Sequence, residues 1–125
     1  MKLEDLIVYK LAMEIGDEVY FLVEKWEPFQ KWTTEKQLVE AADSNAANIS
    51  EGYGRYFYKE NRQFQYYSRG SQSETRTWLV KAKNRKLVDD ETYNSLIEKL
   101  DELGKRHNSY INSIGNSSTN KPINQ

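Results

Sequence analysis

Asn45-Ala-Ala-Asn-Ile-Ser-Glu-Gly-Tyr-Gly-Arg55 lies inside a strongly helical stretch, yet its helical face is polar. Leu38, Ala41, Asn45, Asn48 and Gly52 follow one another in steps of three and four, the spacing of one face of an α-helix. That face carries two asparagines, with Glu51 beside them, and ends in glycines where an apolar seam is the ordinary expectation. A second stretch, Gly70-Ser-Gln-Ser-Glu74, answers it: Phe64, Tyr67, Ser71, Glu74 and Trp78 share the same spacing. Two helices with small and polar groups at mid-length are expected to face each other. The expected result is a polar network of Asn45, Asn48, Glu51, Ser71 and Glu74 closed between two backbones.

Around this pair the chain reads as four helices. The first runs from Leu3 to Trp26, with Leu6, Tyr9, Met13, Gly16, Tyr20 and Val23 as its seam and Ala12, Val19 and Trp26 widening it; Pro28 ends it. Phe29 and Trp32 form an aromatic connector expected to fold onto the bundle end. The second begins at Thr33 or Thr34, where Thr34 and Gln37 fit a capping box, and stops at Gly52 to Gly54. The third covers Tyr58 to Lys86. The fourth covers Asp90 to Ile114, with Asp89 as N-cap and Gly115 as C-cap. Short connections predict an all-α, antiparallel up-down-up-down four-helix bundle over residues 1–115. Residues 116–125 are polar, lack periodicity and contain Pro122, so a disordered tail is expected there.

Composition narrows the functional classes. The 125 residues make one domain, and no apolar run approaches the ~20 residues of a membrane span. Acids stand near the N-terminus where a signal peptide needs an apolar run, and cysteine is absent; both point to the cytoplasm and exclude a cysteine nucleophile. Net charge is −1, but it is segregated. Residues 1–54 hold 5 Lys/Arg against 11 Asp/Glu, net −6. Residues 55–86 hold 9 against 2, net +7, and residues 87–125 hold 4 against 6, net −2.

Two patterns resemble chemistry and point elsewhere. Glu51 and Glu74 could serve as a general acid and base pair, but no nucleophile accompanies them. The polar seam then reads as structural, fixing register as such layers do in coiled coils. A di-metal bundle centre needs Glu-x-x-His on two helices, but the sole histidine, His107, has Gly104 three residues before it. His107 is expected at the core edge, and no cofactor or metal site is expected.

The sharpest functional signal is basic. With Phe57, Phe64, Ser71 and Trp78 at heptad position a, Arg55, Arg62, Arg69, Arg76 and Lys83 all fall at f, with Lys59 and Tyr66 alongside. Exposed arginines among tyrosines suit phosphate contact and base stacking, so RNA or DNA is a candidate ligand. An ordinary solvated face, or pairing with acids of a neighbouring subunit, stays open beside it. Small residues flank the same helix: Asn61, Ser68, Thr75 and Ala82 at e; Gly70, Thr77 and Asn84 at g. They admit close packing, either within the chain or against another subunit.

These motifs also carry a resemblance. Gln37-Leu38, Ala41-Ala42, Ser44, Asn48-Ile49, Glu51-Gly52 and Gly54-Arg55, followed by Gly70-Ser71, Glu74, Thr77 and Leu79, resemble the four-helix-bundle family also called the 23S rRNA intervening-sequence protein family. Leu6, Val8, Ala12, Val19-Tyr20 and Pro28 fit the same pattern. The resemblance implies an antiparallel four-helix bundle assembling as a ring-shaped homopentamer, without an assigned enzymatic activity. Members occur as reading frames inside intervening sequences of large-subunit rRNA genes. Relatives are accessory proteins of retroelements, whose basic surface binds nucleic acid and a reverse transcriptase. This chain departs from the pattern at Glu40, Asp43, Asn45 and Gln72, and it is not basic overall as those accessory relatives are.

Overall fold

The structure, a computed structural model, describes residues 1–115. The expected tail, 116–125, lies outside the described residues. Four helices make the fold: α1 (Ile7–Val23), α2 (Lys36–Tyr53), α3 (Tyr58–Asn84) and α4 (Asp90–Ser113), with no strand among the described residues. Each helix packs on its sequence neighbours, and α1 closes the ring against α4. The pairings run antiparallel. Asn45 meets Ser68 and Gln72, Ile49 meets Gln65, and Gly52 meets Asn61. From α3 to α4, Asn61 reaches Tyr110 and Arg76 reaches Asp101; from α1 to α4, Glu14 and Glu18 hold Lys99. No helix of the described chain is long and apolar enough to cross a membrane.

The ends of the helices follow local chemistry, with three departures from expectation. A 3-10 turn, Leu3–Asp5, precedes α1, so the first helix starts later than its periodicity suggests. The capping box at Thr34 does not form. Pro28–Gln30 makes a helical turn and Lys31–Glu35 a π turn that runs directly into α2. Thr34 is buried, and its hydroxyl accepts from Arg85 Nη1 at 2.7 Å, a tertiary bond that replaces the cap. The aromatic connector does not fold back: Phe29 and Trp32 are 72% and 83% exposed. At α4 the cap is as expected, with Thr92 N–H donating to Asp89 Oδ1 at 2.7 Å; that bond holds the Asp89 carboxyl below its ordinary range. The chain leaves α3 through Lys86 in the left-handed region and leaves α4 through Gly115, φ +79°.

The core is Val8, Ala12, Ile15, Val19 and Val23 of α1 against Leu38, Ala42, Ala46 and Ile49 of α2, Leu79 and Ala82 of α3, and Leu96, Leu100 and Leu103 of α4. Two seams are rotated from their expected phase. On α1, Met13 and Tyr20 are exposed while Ile15 is buried; Ala12, Val19 and, past its end, Trp26 are buried as expected. On α3, the buried line is Asn61, Gln65, Ser68, Gln72, Thr75, Leu79 and Ala82, whereas Tyr67 and Glu74 are exposed and Phe64 and Trp78 only partly covered. The short residues expected to flank the seam at e, Asn61, Ser68, Thr75 and Ala82, are therefore core contacts, whereas Gly70, Thr77 and Asn84 at g are exposed. Bulky aromatics cannot enter where α2 and α3 approach this closely, so the helix turns its small side inward.

Candidate functional site: a buried polar layer and the basic face of α3

Gly52 sets the closest approach. A Cβ there would stand 2.6 Å from Gln65 Nε2, 2.8 Å from Asn61 Oδ1 and 2.9 Å from the Asn61 carbonyl, so only glycine fits. Gly70, by contrast, has open space around it and plays no part in helix approach. Behind Gly52 a chain of polar side chains crosses the bundle. Asn45 Oδ1 accepts from Ser68 Oγ at 2.5 Å and from Gln72 Nε2 at 3.3 Å. Gln72 Nε2 lies 2.8 Å from His107 Nδ1, and His107 Nε2 lies 2.7 Å from Gln65 Oε1. Gln65 Nε2 donates to Asn61 Oδ1 and to the Ile49 carbonyl, and Asn61 donates to the Tyr110 hydroxyl.

An amide nitrogen only donates, so His107 Nδ1 accepts and the ring proton sits on Nε2, donating to Gln65. His107 is wholly buried rather than at the core edge. Burial, aided by the Arg69 charge, pushes its pKa down to about 4, so the imidazole is neutral near pH 7. This layer holds no carboxylate. Its hydrogen bonds join α2, α3 and α4 and fix their register.

Of the five residues expected in the network, the structure keeps Asn45 in this layer. Ser71 is buried but belongs to a separate contact, 2.7 Å from Ser44 Oγ. Asn48 is half-buried and donates to the Ser44 carbonyl. Glu51 is exposed and pairs with Arg55 at 2.6 Å. Glu74 is exposed on the outer face of α3, which overturns its expected place in a buried network with Asn48. The antiparallel register places Glu51 and Glu74 about three helical turns apart, so they do not form one acid–base site. Among the described residues no group of three or more His, Asp or Glu is arranged to hold a metal. Asn61, Gln65 and Gln72, absent from the expected set, were marked by their own three-and-four spacing.

The basic line is rotated as well. Arg62, Arg69, Arg76 and Lys83 each follow a buried residue by one position, which turns them toward α4 rather than straight into solvent. Arg62 Nη1 donates to the Ile114 carbonyl at 2.7 Å. Arg76 pairs with Asp101. Lys83 lies 4.0 Å from Asp90 and 4.5 Å above the Tyr93 ring. Arg55 pairs with Glu51 and Glu60 and covers the Phe64 ring. Lys59 and Arg69 are exposed, and neither makes an ion pair among the described residues.

Outside the layer, α1 and α2 enclose a groove of about 330 Å³ lined by Tyr9, Met13, Gly16, Asp43, Ala47 and Ser50. Burial, and the nearby Asp17, hold the Asp43 carboxyl above its ordinary range. Phe57, just before α3, and Tyr66 and Tyr67 on it are each at least half exposed.

The comparisons with known proteins agree with this architecture. A solved Bacteroides thetaiotaomicron structure, described as a protein of unknown function from the S23 ribosomal protein family, superposes with a TM-score of 0.75 at 21% identity, covering 85% of this chain and 99% of that one. No protein of curated function matches. The family model described as 23S rRNA-intervening sequence protein matches residues 4–109, nearly the whole bundle, and the chain belongs to that family.

Proposed function

We propose that the protein is a non-enzymatic, self-associating scaffold whose exposed α3 face meets a second copy of the same chain. The observation that carries this is the outward line of Phe64, Tyr67 and Trp78, with Tyr67 half exposed and Phe64 and Trp78 only partly covered, beside the Ser44–Ser71 contact. Large aromatics left at a surface mark an association site. The partner surface is chosen by charge: residues 55–86 carry net +7 and residues 1–54 net −6, so the basic helix of one copy complements the acidic α1–α2 half of the next. Contact between two different faces is heterologous and forms a ring where the rotation closes, and a closed ring of five subunits is what the family resemblance implies. Light scattering on the full chain and on Tyr67→Lys tests it. The wild type is expected to be oligomeric and the variant smaller. A wild-type monomer at micromolar concentration removes the reading.

A second reading is favoured by Lys59 and Arg69, two exposed cations of the basic segment for which no ion pair forms among the described residues. They suit phosphate contacts to RNA or DNA, repeated around a ring so that avidity offsets a weak single site. A reverse transcriptase is the protein partner that the resemblance implies for such a surface. Retention of mixed-sequence RNA is expected to fall as salt rises. Lys59→Glu and Arg69→Glu are each expected to reduce that slope by roughly 0.7–0.9, the share of one neutralised phosphate. Binding unchanged by the double charge reversal removes it.

A further inference from the structure

Arg69 opens onto a recess that the bundle does not fill. Between α3 and α4 lies a groove of about 220 Å³, lined on one side by Arg69, Ser73 and Arg76 and on the other by Asp101, Gly104 and Asn108. Gly104 creates the space: a Cβ placed there meets nothing within 4 Å. A glycine inside a helix costs stability relative to alanine, and here no close approach of backbones requires it. Leu100, at the floor, is buried.

The charges are arranged for an anion. Arg62, Arg76 and Lys83 on the same line of α3 are each engaged with α4 or the residue that follows it, whereas Arg69, directly opposite the glycine, has no ion-pair or hydrogen-bond partner among the described residues. Asp101 is the one carboxylate of the lining and is held by Arg76, so Arg69 leaves the groove with an uncompensated positive charge. Ser73 and Asn108 add uncharged hydrogen-bonding groups at the rim. An arginine fork with neutral donors around a small recess matches a tetrahedral oxyanion.

We propose that this groove is an oxyanion site that takes one phosphate group, from a nucleic-acid backbone or as free phosphate, with Arg69 as its principal contact. The nucleic-acid reading above bears only on the source of the phosphate. The site has its own reporter. Gln72 lines the groove and is bonded to His107, the chain's sole histidine, whose ring feels the Arg69 charge. Neutralising Arg69 with a bound anion therefore alters the imidazole environment.

The experiment is NMR of the full chain near neutral pH, titrated separately with inorganic phosphate and with a short mixed-sequence single-stranded RNA. Phosphate is expected to move the Ser73 and Gly104 amides and the His107 ring signals in the wild type and in Lys10→Gln, a change at an exposed cation of α1. Arg69→Gln is expected to weaken that response by about tenfold, the loss of one charge-assisted pair. Gly104→Leu fills the groove and is expected to abolish it; since the leucine enters open space, a native far-UV spectrum separates blockage from unfolding. RNA moving the same signals supports a backbone phosphate. Phosphate moving them while RNA does not supports a free-phosphate site and counts against the nucleic-acid reading. Phosphate that moves none of these signals, or an undiminished response in Arg69→Gln, overturns the site.

Discussion

His107 is held by two glutamines, Gln72 donating to Nδ1 and Gln65 accepting from Nε2, and a second ring proton would face the Gln72 amide donor. Arg69 on α3 adds positive charge, and Tyr110 of α4, its ring stacked at 6.5 Å, adds none near neutrality because burial raises its own pKa. The folded pKa, about 4, lies below the ordinary 6.5, so the unfolded chain binds the proton more readily. Stability from this group is present above about pH 6.5 and is lost as pH falls toward 4, by roughly 3 kcal/mol in all. The expected outcome is an imidazole that stays neutral down to about pH 5 in NMR, with denaturant midpoints falling over the same range. An imidazole titrating at its ordinary value contradicts the buried geometry. Gly52 gives a second test at this scale. Gly52→Ala puts a methyl group against the Asn61 carbonyl, 2.9 Å away, and is expected to destabilise by about 1–3 kcal/mol in urea unfolding, although alanine is the better helix former.

At the scale of the element, α3 owes its orientation to small and polar groups rather than to its large apolar ones. Its inward line carries Asn61, Gln65, Ser68, Gln72 and Thr75, and its aromatic line faces out. Substitution along the two lines should therefore differ. Gln65→Ala removes the partner of His107 Nε2 and two donated bonds, leaving buried polar atoms stranded, at a cost of about 1–3 kcal/mol. Glu74→Ala, on the exposed line, is expected to leave stability within about 0.5 kcal/mol. Equal losses from the two substitutions in parallel thermal melts would refute the rotated phase of α3.

For the whole molecule, segregated charge and exposed aromatics make different demands on salt. The acidic residues 1–54 and basic residues 55–86 attract across copies at low ionic strength, and the Debye length shrinks to about 3 Å at 1 M. Burial of Phe64, Tyr67 and Trp78 does not weaken with salt. If both contribute to assembly, association is expected to slow as salt rises while the assembled mass measured by light scattering persists. Retention of RNA should decline steeply over the same range. An assembly that dissolves entirely in salt would assign the contact to charge alone.

Asn45, Gly52, Asp89 and the four runs of apolar periodicity were legible in the sequence because their roles are local or set by spacing. A glycine at a helical seam announces close approach, an aspartate before an acidic turn announces a cap, and steps of three and four announce helices. The phases of α1 and α3 were not legible in the same way. On α3, the line through Phe64, Tyr67 and Trp78 is the more apolar, and it is the one expected inside; the line through Gln65, Ser68 and Gln72 is the one that packs. Hydrophobicity ranks the faces of a helix one at a time, whereas the space between α2 and α3, set by Gly52 and the alanines around it, admits only short side chains. That choice moved Glu74 to solvent, drew His107 into the centre, and swung the arginines from the outermost position to the edge of α4, where all but Arg69 on the 62–83 line found partners. The sequence by itself determined that there are four helices and where they break; which of their faces meet, and hence which polar groups are left for a ligand, was decided by the volume available between backbones.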